Sequence, residues 1–163
     1  MTATPVPAPV PVARPGLTLA LLSMSHAVIH AQSALMPLIY PIVIVQFALD
    51  ARDIGLFIAV TTAVGGSMQL LYGFLTRVVA RPALLAGGQL VFGTGLMLGG
   101  QATSIGQLLA AVSLSRIGAS PQHVVGNALL SDLYPKERRG FAISAHISGG
   151  NVGTVLVPFV GLA

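Results

Sequence analysis

The chain has 163 residues, 54% of them hydrophobic and 7% charged, with a net charge of +4, no cysteine and a mean hydropathy of +0.86. Soluble domains carry about 25% charged residues, so eight basic and four acidic side chains are too few to cover a water-exposed globule. A disulfide framework and a thiolate metal site are excluded as well. The basic residues are spread thinly between long apolar runs, which reads as membrane orientation and not as nucleic-acid binding.

The head of the chain, Thr4-Pro5-Val6-Pro7-Ala8-Pro9-Val10-Pro11, cannot be helical, because proline lacks the amide donor and clashes with the preceding turn. Residues 1–16 are therefore expected to form a proline-rich cytoplasmic tail. The apolar run after Arg14 is much longer than a signal-peptide core and no small-x-small cleavage site ends it, so it is read as a retained transmembrane helix.

A helix needs about 20 apolar residues to span a bilayer. The uncharged stretches 15–49, 54–76, 82–115, 117–131 and 140–163 supply five such spans. Span 1 is expected at about 17–45 and span 2 at about 54–76. The long third stretch divides at Gln101-Ala102-Thr103-Ser104-Ile105-Gly106, giving span 3 at 83–101 and span 4 at 107–131, the latter containing Arg116. Span 5 begins near Gly140 and is still apolar at Ala163. With the N-terminus inside, the cytoplasmic segments hold Arg14, Arg77, Arg81, Lys136, Arg138 and Arg139 against Arg52 alone outside, a strong positive-inside bias. The expectation is an all-α, multi-pass protein of the plasma (cytoplasmic) membrane with a cytoplasmic N-terminus.

Polar groups in hydrocarbon are costly, so their positions mark the faces that meet protein or water. In span 1, Ser23, His26, His30, Ser33, Pro37 and Tyr40 follow one another at steps of three or four, along one helix face. Ser25 and Gln32 sit off that stripe. Span 4 repeats the pattern with Arg116, Ser120, His123, Asn127 and Ser131, Gln122 being its exception; Thr62, Gly66 and Gln69 make a weaker version in span 2. For the serines and asparagine, interhelical hydrogen bonding is an ordinary explanation. Arg116 is different, since an arginine at the bilayer centre costs about 2.5 to 3.5 kcal/mol even on the lower scales. No Asp or Glu lies inside a predicted span, so its partner is a backbone carbonyl, an anionic substrate or an absent helix. The candidate substrate or proton pathway comprises His26, His30, Gln69, Arg116, Ser120, His123 and Asn127.

His26 and His30, one turn apart, have metal-ligand spacing and are also suited to proton relay. The metal signal lacks a third ligand, so neither a metal nor a cofactor is expected. His146 lies off the Ser144, Ser148, Asn151 face of span 5 and is read as packing. The pairs Gly95/Gly99 and Gly149/Gly153 have the four-residue spacing of close helix contacts. Pro37, Pro41, Pro121 and Pro158 each remove a helical hydrogen bond, so spans 1, 4 and 5 are expected to kink or unwind locally.

Several of these segments resemble the major facilitator superfamily of secondary transporters, and within it the fosmidomycin resistance protein branch. The superfamily motif between helices 2 and 3 is similar to Gly73-Phe74-Leu75-Thr76-Arg77-Val78-Val79-Ala80-Arg81-Pro82, with Gly73, Leu75 and Arg81 matching and Arg77 standing where the motif has an acid. Gly118-Ala119-Ser120-Pro121-Gln122-His123, Arg138-Arg139-Gly140-Phe141-Ala142 and Gly149-Gly150-Asn151-Val152-Gly153 with Pro158 resemble the branch in order and spacing. The last group also fits the Gly-rich, proline-ended helix 5 motif of the superfamily's antiporters. Ser25-His26 followed by Leu35, Pro37 and Pro41 is similar to the branch's first helix, with His30 where that branch tends to carry Asp.

The resemblance covers about residues 18–163. It implies two six-helix halves with the substrate site at their interface near the midplane, residues 17–163 here supplying the first five transmembrane helices of an N-terminal half that lacks its C-terminal companions. The activity implied is proton-coupled efflux of a small molecule, anionic in view of Arg116, by alternating access. An enzyme is not expected: an intramembrane hydrolase would need Ser120 as nucleophile with His123 or His146 as base, and Pro121 withdraws an amide that would serve the oxyanion. The remaining alternative is a membrane accessory subunit without transport of its own.

Overall fold

A computed structural model describes residues 14–160. Residues 1–13, and with them most of the expected proline-rich tail, lie outside the described residues, as do the last three positions of the fifth span. The elements are α1 (Pro15–Phe47), α2 (Ala51–Leu75), α3 (Arg81–Gly99), α4 (Ile105–Ala119), a π-helical turn (Gln122–Gly126), α5 (Asn127–Leu133) and α6 (Lys136–Val160). There is no strand among the described residues. Helices thus occupy all five expected segments within a few residues of the predicted bounds, the fourth as the composite of α4, the π turn and α5. Helices α1, α2 and α3 are each long and apolar enough to cross a membrane.

Local chemistry sets the helix boundaries. Proline occupies the first turn of α1 and of α3, where its missing amide hydrogen costs nothing. Asp50 and Asp53 form a reciprocal capping box at the start of α2, with bonds of 2.9 and 3.0 Å. Ser104 caps α4 by accepting from the Gln107 amide. Ala48 closes α1 in the left-handed region, at φ 51°, and the short link that follows turns the chain directly into α2. Both α1 and α6 remain helical through their internal prolines, so among the proline-bearing spans only the fourth leaves α-helical hydrogen bonding. There Pro121 has no N–H to offer, and the chain widens into the π turn.

The helices pair α1 with α6 and α3 with α4, while α2 lies along α4. Two apolar clusters form the core. One gathers Leu22, Leu84, Leu85, Val125, Leu129 and Leu130; the other gathers Met36, Val43, Phe57, Leu108 and Val112. On α1 they are anchored by Leu22 and by Met36, leaving His26, His30 and Ser33 in a band between them, near the middle of that helix. The outward faces carry many large apolar side chains, among them Leu21, Met24, Leu90, Met97, Phe141 and Phe159. So much exposed apolar surface fits lipid as its solvent, and the chain is a multi-pass membrane protein.

Candidate functional site

The band between the two apolar clusters is where the polar stripes of spans 1 and 4 meet. Arg116 donates from one guanidinium nitrogen to the Ser33 hydroxyl at 3.0 Å, and its buried Nε has no partner. It makes no ion pair among the described residues. Among the described residues its hydrogen-bond partner is thus a hydroxyl and not a backbone carbonyl, and no carboxylate lies beside it. Its aliphatic stem packs on Gly65 of α2.

One turn along α1 from Ser33, the chain's four histidines converge. The His26 ring centroid lies 4.5 Å from that of His30, 4.8 Å from that of His123 and 4.4 Å from that of His146, on which it stacks. His26 and His146 are fully buried, His30 is half-buried and His123 is exposed. The His26 Nδ1 donates to the His146 backbone carbonyl at 3.0 Å. A carbonyl only accepts, so this bond places the proton on Nδ1 and leaves the Nε2 lone pair free; Nε2 is buried and has no partner. Thr154 brings its hydroxyl to 3.4 Å from His30 Nδ1.

The span 4 stripe does not stay on one face. Arg116 and His123 reach α1, whereas the buried Ser120 turns to α2, its hydroxyl 3.0 Å from the Gly65 carbonyl and 2.6 Å from the Arg116 carbonyl. Neither His123 nor His146 is a hydrogen-bond partner of Ser120, so the nucleophile and base of the hydrolase alternative are not paired. Asn127 leaves its Oδ1 buried without a partner. Gln69 is not brought to the band: it lines a shallow depression with Gly66, Gly73, Phe74, Arg77 and Val124.

Of the loop motif, Gly73 faces Val124, which a Cβ there would meet at 3.8 Å, Leu75 packs against the first apolar cluster, and Arg81 forms an ion pair with Asp132 at the end of α5. The replacement of the motif's acid by Arg77 therefore does not leave Arg81 without a carboxylate. In α6, a Cβ added at Gly149 would lie 2.6 Å from the Ser23 carbonyl oxygen, and one at Gly153 would collide with the Ala27 backbone, so both glycines are required by the approach to α1. Pro158 is exposed and contributes nothing to the band.

Three participants escape the sequence reading. His146, read as packing, stands in the centre of the cluster. Ser25 and Gln122, each off its predicted stripe, hydrogen-bond to one another. Gln122 is buried at the start of the π turn, where its side chain meets Ser25 of α1. For His146 a usable signal existed: it precedes Gly149, Gly150 and Gly153 at helical spacing, on the face that small residues mark as the contact face.

The match to known proteins covers the same region. The family model described as Major Facilitator Superfamily matches residues 21–163. No curated protein matches the chain.

Proposed function

Since the chain belongs to the Major Facilitator Superfamily, whose members are membrane transporters, we propose that it moves a small anionic molecule by alternating access, as proton-coupled efflux across the plasma membrane. In this reading the five spans correspond to the first five helices of a six-helix half, entered from a cytoplasmic N-terminus. The substrate pathway runs along the α1 face bearing His26, His30 and Ser33, and past Arg116, Ser120, His123 and Asn127; Gln69 flanks it from α2.

The observation that carries the proposal is Arg116. A guanidinium held between helices by one hydroxyl, with no carboxylate beside it among the described residues, is an unbalanced charge at a costly depth. A transported anion supplies the missing charge when it binds and leaves the site high in energy when it departs, which favours a cycling carrier over a tight trap. The efflux direction and the proton as coupling ion draw their support from the α6 residues Gly149, Gly153 and Pro158, which resemble the antiporter motif, and the assignment to the fosmidomycin-resistance-like branch draws it from the Ser25-His26 and Gly118–His123 segments.

The test is transport of a panel of labelled small anions into liposomes bearing the protein expressed from its complete gene. R116A is expected to reduce transport at least about tenfold, the factor corresponding to about 1.4 kcal/mol of lost anion binding, while R116K retains part of it and both insert normally. Full transport by R116A would remove the anionic-substrate assignment. Collapse of the pH gradient should stop accumulation; accumulation that persists without it would remove proton coupling.

A further inference from the structure

We propose that His26, His30 and His123 form a binding site for a borderline divalent transition-metal ion such as Zn²⁺. One ring nitrogen from each lies within 4.8 Å of the others. Zinc–imidazole bonds of about 2.0–2.1 Å bring tetrahedral ligand atoms to about 3.3 Å from one another. Small rotations of His30 and His123 close that gap, and both rings have an open side toward which to turn. Gly150 leaves the space for the His26 and His30 rings: a Cβ there would stand 3.1 Å from both the His26 Cε1 and the His30 Cδ2.

The tautomer is already the one a metal requires. The His146 carbonyl holds the proton of His26 on Nδ1, so the buried, unpartnered Nε2 lone pair is available to an ion. A second hydrogen bond of this kind fixes the ring orientation of metal-bound histidines generally. Three neutral imidazoles with no carboxylate and no thiolate select Zn²⁺, Co²⁺, Ni²⁺ or Cu²⁺ over Mg²⁺ and Ca²⁺. Three protein ligands with exposed His123 among them leave the fourth position to water or an anion. The His26/His30 pair and the span 4 stripe supply its ligands, and the fold joins them by placing the His123 ring, in the π turn, 4.8 Å from that of His26. It does not depend on Arg116 or on the transported molecule.

The experiment is a Zn²⁺ titration by calorimetry, with Co²⁺ absorption in parallel, on the protein expressed from its complete gene, carried without a polyhistidine tag in lipid nanodiscs. The expected result is one saturable ion per chain and intense visible Co²⁺ bands of four-coordinate geometry. H123A, which changes an exposed side chain, should weaken binding at least about 100-fold and abolish those bands, whereas H146A should weaken it by less than about tenfold because the backbone carbonyl that orients His26 remains. Binding no stronger than that of the His26/His30/His123 triple alanine variant, or binding and Co²⁺ bands that survive H123A, would overturn the assignment.

Discussion

The α3–α4 seam and the α1–α6 seam are built on the same device and enclose opposite contents. In both, glycines let the backbones approach so closely that a Cβ would strike backbone atoms: at Gly88, Gly95 and Gly118 in the first, at Gly149 and Gly153 in the second. Between α3 and α4 this closeness seals apolar residues such as Phe92 and Ala111 around the single hydroxyl of Ser115, which bonds back to the Phe92 carbonyl. Between α1 and α6 it presses two imidazoles face to face and leaves ring nitrogens without partners. Close packing in a bilayer thus does two jobs here. Lipid supplies no hydrophobic drive for helices to associate, so the first seam holds the bundle by contact alone. The second holds polar groups inside the bundle with part of their hydrogen-bonding capacity unmet, an arrangement associated with function rather than stability.

The contrast can be broken by substitution, with effects that fall in a definite order. G118L should be the most damaging, because the added side chain meets the Gly88 carbonyl and the Phe92 backbone, neither of which can yield; loss of monodisperse protein in detergent is expected, beyond the roughly 1–3 kcal/mol of ordinary overpacking. G150A should be milder, since its contacts are imidazole edges that can rotate. It is expected to leave helix content and thermal stability nearly intact while shifting the histidine ring resonances in NMR spectra. S25A removes the partner of the buried Gln122 amide and should lower stability by about 0.6 kcal/mol and at most about 1.7 kcal/mol, the average and maximum measured for interhelical hydrogen bonds in membranes, as read by unfolding in mixed micelles. R81A should cost least, at most about 1 kcal/mol, because the Arg81 and Asp132 side chains are 34% and 61% exposed. A G150A variant that unfolds as completely as G118L would erase the distinction between the seams.

Much of this architecture was legible in the residues, and the exceptions share a cause. The five spans follow from apolar runs and the positions of charges, and the α1 stripe follows from helical period, because α1 keeps that period from Pro15 to Phe47. Gly149 and Gly153 announced the α1–α6 contact by their spacing. A single uniform period for span 4 does not describe it: Ser120, at the end of α4, faces α2, and beyond Pro121 the buried Gln122 opens the π turn and reaches Ser25. His146 escapes a rule in which polarity marks the contact face of every helix. On α6 the reverse holds, with Ser144, Ser148 and Asn151 exposed and the glycine face buried against α1. Gln69 shows the limit of a weak stripe, since the face it marks meets the π turn near Val124 and not the histidines.

The proposal that the polar band is a water-accessible pathway is tested most directly by single-cysteine labelling, to which these 163 residues contribute no cysteine of their own. His123 and Leu90 are both exposed at the surface of the described structure, Leu90 at 74%, yet one belongs to the band and the other to the outer face of α3. Thiol reagents attack the thiolate, which needs water to form. In membranes, H123C should react with a charged, membrane-impermeant thiol reagent and L90C should stay inert. An H123C as unreactive as L90C would contradict the account, because it would place the histidine band against lipid or dry protein and not along a pathway.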